Sequence, residues 1–263
     1  MEYQIVVCAG VAPDPLQTLE PIPGPALKNE MMLPAVLDPW AAHALYEAAH
    51  LARTVPGSKV WLVSLAPKAK LQQVMMMVAQ KAPFELVALD GPAGGFTESA
   101  EVAAALASAI EAIPGLDRGR LLVFGGWESA TRGAGTTMQI VGERLGIVDQ
   151  FQGVDELAVE EDGTLSILER VEGGSHQVSR CEGPPVTIGW ATGNRPEPPN
   201  NPQTGMLNMR SVMPALQRAR PAAVKSGAEF LSASLPKQQR ATRVVKDMSP
   251  EEVAREIVAW IAE

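Results

Sequence analysis

The chain has 263 residues, of which 46% are hydrophobic and only 5% aromatic, and it carries a formal net charge of −8 from 22 basic and 30 acidic side chains. That length suits one large domain or one domain with an appendage, and the composition excludes a disordered chain. The acidic balance argues against a nucleic-acid partner, and no apolar stretch reaches the roughly 20 residues that a membrane-spanning helix needs.

The opening "MEYQIVVCAG" lacks a basic leader and reads directly as a buried strand, so a cytoplasmic protein without membrane insertion is expected. Strand 3–9 is followed by a Pro-rich loop over 13–34, too long for a simple connection. "DPWAAHALYEAAHLAR" (38–53) has Asp at the N-cap and Pro in the first turn, then apolar residues at helical spacing. The pattern continues as strand 59–67, helix 70–82 with a Met cluster assigned to the core, strand 84–90, helix 98–113, strand 120–126 and helix 136–147. Strand–helix alternation at this spacing predicts right-handed βαβ units. The expected fold is therefore a doubly wound, mostly parallel, Rossmann-like sheet with helices on both faces.

Past residue 150 the pattern changes. Residues 154–190 alternate apolar and polar positions around turn signals at "EDGT" and "EGGS", which predicts a β-hairpin or meander attached to the sheet. "ATGNRPEPPNNPQTG" (191–205) is rich in Pro, Asn and Gly and is expected to be irregular. A final amphipathic helix occupies 249–263, with Ser249 as N-cap, Pro250 at the first position and Glu252 as capping-box partner. Two units are expected: an α/β domain over 1–203 and a partner-recognition loop with C-terminal arm over 204–263. From 205 to 246 eight basic residues (Arg210, Arg218, Arg220, Lys225, Lys237, Arg240, Arg243 and Lys246) face one acid, Glu229. Such a segment is either a solvated arm or a docking surface for an acidic partner or phosphates.

Catalytic patterns are missing. Cys8 and Cys181 form no CxxC and read as small buried hydrophobes. His43 and His50 lie two helical turns apart, roughly 10 Å, too far for one metal. No catalytic residue and no metal site is predicted. "GGWESATRGAGTTMQ" (125–139) stands out instead, since a Gly-rich loop between a strand and a helix is where an α/β protein usually holds a phosphate. It has neither a phosphate-loop Lys nor GxGxxG spacing.

The order of features resembles the β subunit of electron transfer flavoprotein over nearly the whole chain. "LDPWAAHALYEAAHLAR" is similar to that family's Asn-Pro turn into an Ala/Glu-rich helix, with Asp38 in place of Asn. "SLAPKA" is similar to its Ser-x-Gly-Pro turn, with Ala66 in place of Gly. "GERLGIV", "RVEGG", "PPVTIG", "NRPEPP" and the ending from "QQRATRVVKD" through the last helix, similar to a strand and helix, follow in family order. The resemblance implies an electron carrier without substrate turnover of its own, paired with an α subunit that holds most of the redox FAD at the interface. It implies passage of electrons from a flavin-dependent dehydrogenase, here a dedicated one, to a quinone-linked oxidoreductase. It also implies a second nucleotide within this chain: AMP in ordinary members, FAD in bifurcating ones.

The family's Gln-Ala-x-Asp-Gly-Asp-Thr loop corresponds to "ESATRGA" here, with both acids gone, its Gly-Ala-Asp is "KAPFE", and the Lys after the first strand is Ala9 or Gly10. Two readings of the loop stay open: it merely closes the sheet, or it still binds through backbone N–H groups, Ser129, Thr131 and Thr136, with Arg132 on phosphate. The candidate cofactor residues are Cys8, Ala9, Asp38, Ser64, Ala66, Gly125, Gly126, Ser129, Thr131, Arg132, Gly135, Thr136 and Thr137. The family's dehydrogenase-anchoring loop corresponds to "QTGMLNMRSVMPALQRARP", which makes Leu207, Met209, Arg210 and Met213 the candidate partner-binding residues. The rival function is a stand-alone adenine-nucleotide-binding regulatory α/β protein.

Overall fold

A computed structural model describes residues 2–92, 94–133, 135–234, 242 and 244–262. In chain order its strands and helices are β1 (Gln4–Ala9), β2 (Val11–Pro13), β3 (Ala35–Leu37), α1 (Pro39–Thr54), β4 (Lys59–Ala66), α2 (Lys68–Val78), β5 (Glu85–Asp90), α3 (Ser99–Glu111), β6 (Leu121–Gly126), α4 (Thr137–Arg144), β7 (Asp149–Val159), β8 (Leu165–Arg170), β9 (His176–Cys181), β10 (Val186–Trp190), α5 (Pro202–Gln217), β11 (Arg220–Pro221) and α6 (Pro250–Ala262).

Among the described residues nine strands form one sheet, in the order β11-β5-β4-β1-β6-β10-β7-β8-β9. Pairing is parallel from β11 through β7 and antiparallel from β7 to β9. Helices α1, α2 and α5 cover one face over Ile5, Val7, Leu62 and Phe124; α3 and α4 cover the other over Val6, Cys8, Val63 and Val123. The chain leaves β1 for β4 and β5 on one side and then returns to β6 on the other. The β1/β6 border is therefore the topological switch point, the place where such sheets open a crevice beyond the carboxyl ends of their strands.

The doubly wound parallel sheet agrees with the sequence reading, and three local expectations need correction. First, "PPVTIGW" does not continue the hairpin. β10 is buried along its length and inserts between β6 and β7, because a continuous apolar run fits a strand covered on both faces. Second, residues 191–201 are irregular as expected, but the stretch read as a recognition loop is largely helix α5, which begins at Pro202. Asn201 caps it, its Oδ1 accepting from the N–H groups of Gln203 and Thr204, and Pro202 occupies the first turn. Gly205, Asn208, Val212 and Leu216 form its buried stripe. Third, the Met cluster splits: Met75 is fully buried, whereas Met76 and Met77 face solvent.

The 13–34 loop is clamped at its base by antiparallel pairing of β2 with β3. The Ser249–Glu252 capping box forms as expected, with the Ser249 N–H donating to Glu252 at 2.8 Å and the Glu252 N–H donating to Ser249 Oγ at 3.3 Å. Of the eight basic residues in the 205–246 segment, Lys237, Arg240 and Arg243 lie outside the described residues, as does most of the "QQRATR" stretch read as part of a C-terminal strand.

Candidate functional site

The crevice at the switch point is built from the ends of β1 and β6, the start of α1, the loop after β6 and the first turn of α4. Of the predicted cofactor residues, Cys8, Ala9, Asp38, Gly126, Ser129, Arg132 and Thr137 line it. Ser64, Ala66, Gly125, Thr131, Gly135 and Thr136 do not. Ser64 is buried and donates to the Ala9 carbonyl at 2.8 Å, tying β4 to β1. Ala66 is buried at the end of β4. A side chain at Gly125 would collide with Met138, and one at Gly126 would come within 2.6 Å of Trp40 Cβ. These two glycines let α4 and α1 approach the end of β6, a packing role that a Gly-rich reading cannot distinguish from a phosphate loop.

Asp38 organises the crevice. Its Oδ1 accepts from the N–H of Trp40 at 3.2 Å, the N-cap role that its sequence position predicts. Its Oδ2 reaches across 92 residues to the N–H of Ala130 at 2.8 Å, fastening the loop to α1. Burial pushes its carboxyl above the usual range, opposed by the backbone N–H groups of Ala130, Trp40 and Ala41 and by the charge of Arg132. Arg132 turns inward. Its Nη2 donates to Thr137 Oγ1 at 3.0 Å, and its Nε is buried without a partner among the described residues. Burial lowers its pKa, and the Asp38 carboxylate opposes that shift. Cys8 lies at the floor of the crevice, where burial pushes its thiol up to about 12, so it is a wall and not a nucleophile.

Two polar clusters escaped the sequence reading because their members are far apart in the chain. Glu47, on the buried side of α1, accepts from the N–H groups of Asn194 at 2.9 Å and Arg195 at 3.1 Å, and so pins the turn after β10. Asp155 on β7 is buried, and Arg170 at the end of β8 binds both its oxygens, at 3.0 and 2.8 Å. His176 Nε2 lies 3.1 Å from the same carboxylate, and the Thr192 hydroxyl donates to it at 3.2 Å. Burial raises the Asp155 carboxyl, but the hydrogen bonds from Arg170, His176 and Thr192 and the Arg170 charge outweigh it and hold it below its ordinary value.

The two ends of the Asp155–Arg170 pair are unequally covered, with side-chain exposures of 8% and 42%. Arg170→Met therefore strands a buried carboxylate and is expected to cost about 2–3 kcal/mol at neutral pH, whereas Asp155→Asn frees a half-exposed guanidinium to hydrate and costs about 1 kcal/mol. A depressed carboxyl pKa contributes stability that is present above the unfolded value and lost as pH falls through the folded one. The gap between native chain and Arg170→Met thus begins to close below about pH 4 and is lost as pH falls through the depressed native value. Urea unfolding of the three chains at pH 7 and at falling pH below about 4 measures both the asymmetry and its narrowing, and a gap that does not narrow would refute it.

The predicted partner residues sit elsewhere, on α5, which packs over β5 and against α2. Leu207 is 64% exposed and its neighbour Met206 69%. Arg210 is exposed and Met213 is 36% exposed, while Met209 turns inward against the core. Among the described residues there is no group of His, Cys, Asp and Glu placed to hold a metal ion, and no helix is long and apolar enough to cross a membrane.

A mostly parallel, doubly wound sheet with its crevice at the switch point defines a protein of the Rossmann-like α/β class. Within that class, the family model described as "Electron transfer flavoprotein domain" matches residues 29–225, and the chain belongs to that family. No curated protein matches the chain. Proteins of this family are flavin-associated electron carriers.

Proposed function

We propose that this chain is the β-type subunit of a heterodimeric electron transfer flavoprotein, and that its partner is an α subunit carrying FAD at their interface. The observation that carries this reading is α6. Val253, Ile257, Trp260 and Ile261 follow the i, i+4, i+7, i+8 spacing of one apolar stripe and are 42%, 47%, 63% and 80% exposed, and none of the helix's residues is buried against the rest of the chain. A well-capped amphipathic helix with an uncovered stripe suits a second subunit. A regulator that stays monomeric would leave that stripe without a role.

In the pair, FAD would supply the redox chemistry, and this chain would supply a rigid sheet, the arm that holds the partner, and a docking face for the electron donor. That donor would be a dedicated flavin-dependent dehydrogenase, and the acceptor a quinone-linked oxidoreductase. The exposed side of α5 suits the donor, because Met206, Leu207 and Met213 offer apolar anchors beside Arg210, and anchors carry affinity while charge speeds encounter.

The experiment is electron transfer from the donor dehydrogenase to the intact heterodimer with Met206→Ala and Leu207→Ala together. Both side chains are exposed, so the fold tolerates the change. The donor kcat/KM is expected to fall about tenfold or more, with flavin content and chemical reducibility unchanged. An unchanged kcat/KM would remove α5 from the donor interface.

A further inference from the structure

The family resemblance implies an adenine nucleotide in the crevice between β1 and β6, and the residues there do not fit one. The crevice encloses about 50 Å³, against roughly 300–1,000 Å³ for a typical small-molecule site. Most of its loop donors are committed within the chain. The Ala130 N–H is taken by Asp38, the Arg132 N–H by Ser129 Oγ at 3.4 Å and the Gly133 N–H by the Ser129 carbonyl at 2.7 Å. The Ser129 and Thr131 hydroxyls pair with each other at 3.1 Å, and Thr137 accepts from Arg132. The N–H groups of Ala130, Arg132 and Gly133 and the hydroxyls of Ser129 and Thr131 thus have partners within the chain, while Arg132 Nε has none among the described residues.

Charge points the same way. A phosphate entering here would meet the buried Asp38 carboxylate, whose two oxygens are both occupied by backbone donors of the chain. The cation opposite it, Arg132, is tethered to the first residue of α4. Val102, Leu106 and Met138 fill the remaining wall.

We infer that the crevice is closed to nucleotides from within: Arg132, bonded to Thr137 and facing the charge of Asp38, takes the place a nucleotide's phosphate would claim, and loop 125–139 works as an internal strut joining β6, α1 and α4. This goes beyond the electron-carrier reading and does not depend on it.

The test uses the full chain, purified together with whatever subunit it carries. Nucleotides released by acid are separated and counted, and thermal unfolding is followed with AMP or ADP added at millimolar concentration. The expected result is no stoichiometric AMP, at most one FAD per complex, and a Tm that neither added nucleotide moves. Binding at concentrations a hundredfold above Kd would raise Tm by several degrees. One AMP or a second FAD per complex, or a saturable rise of Tm with AMP or ADP, would overturn the inference. Arg132→Ala supplies the second arm. It should lower Tm in nucleotide-free buffer, because the guanidinium braces the loop, and an unchanged Tm would also overturn the strut. A preparation without any flavin-bearing partner leaves this inference intact, and an AMP-bearing crevice leaves the carrier reading intact, so the two fail separately.

Discussion

Removing residues 249–263 is expected to abolish association with the proposed flavin-bearing partner and to leave the α/β domain as stable as before. The reason lies in the uneven distribution of burial. Every core residue of the sheet lies before α6, and α6 buries none of its own side chains against the chain. Deleting it therefore removes no buried side chain from the domain. In a complex the stripe of Val253, Ile257, Trp260 and Ile261 would be covered, and each such side chain contributes roughly 1.5–3 kcal/mol when fully buried. Even after the entropy of ordering the arm is subtracted, loss of the stripe weakens association by at least about a hundredfold, or about 2.8 kcal/mol. Trp260→Ser with Ile257→Ser does the same without shortening the chain, since a large aromatic anchor dominates such a contact. Size-exclusion chromatography of the mixed subunits reads the association, and thermal unfolding of the isolated chain reads the domain. A truncated chain that melts many degrees lower, or one that still elutes with its partner, would contradict this account of the arm.

Asn208→Leu lowers the melting temperature by about 6–12 °C, the largest loss expected from one substitution outside the apolar core. Asn208 lies on the buried stripe of α5, where its amide donates to the carbonyls of Ala79 at 2.7 Å and Ala82 at 2.6 Å. Those carbonyls belong to the end of α2 and the turn beyond it, where the helix leaves acceptors without intrahelical donors. One side chain thus caps α2 and docks α5 on it. Leu keeps the size and removes both donors, leaving two buried acceptors unpaired at about 1–3 kcal/mol each. The total is about 3 kcal/mol, and the exposed face carrying Leu207 loses its anchorage at the same time. A change of less than about 1 °C would show that water or a shifted backbone satisfies both carbonyls.

The sequence made the frame of this protein legible because its signals are local. Asp38-Pro39 and Ser249-Pro250 mark helix starts by cap chemistry that needs no tertiary contact, and both helices begin there. The same grammar stands at Asn201-Pro202, yet the Pro- and Asn-rich surroundings and the family's loop pointed to an irregular segment. Asn208 on the buried stripe disguises the amphipathic pattern further, since a polar residue there makes sense only once the carbonyls of α2 are known. The place of β10 is illegible for a related reason: strand order in a sheet depends on long-range pairing, and "PPVTIGW" follows a hairpin in sequence while joining β6 in space.

The candidate site was legible as a place and illegible as chemistry. Residues 8, 9, 38, 126, 129, 132 and 137 do meet at one crevice, as the ends of β1 and β6 require. What they do there depends on hydrogen bonds such as that from Ala130 to Asp38, which closes 92 residues of chain and has no sequence signature. The Asp155 cluster gathers residues 155, 170, 176 and 192 by folding alone.

The claim that matters most is the pairing of this chain with a flavin-bearing subunit, and one measurement addresses it directly: native purification of the full chain, with subunit stoichiometry by mass and flavin by visible absorbance. The account predicts a one-to-one complex with a second chain of the electron transfer flavoprotein family, one FAD per complex, bleached on reduction and restored on reoxidation. A colourless chain that purifies alone or as a homo-oligomer, and takes up no flavin when mixed with such a subunit, would contradict it.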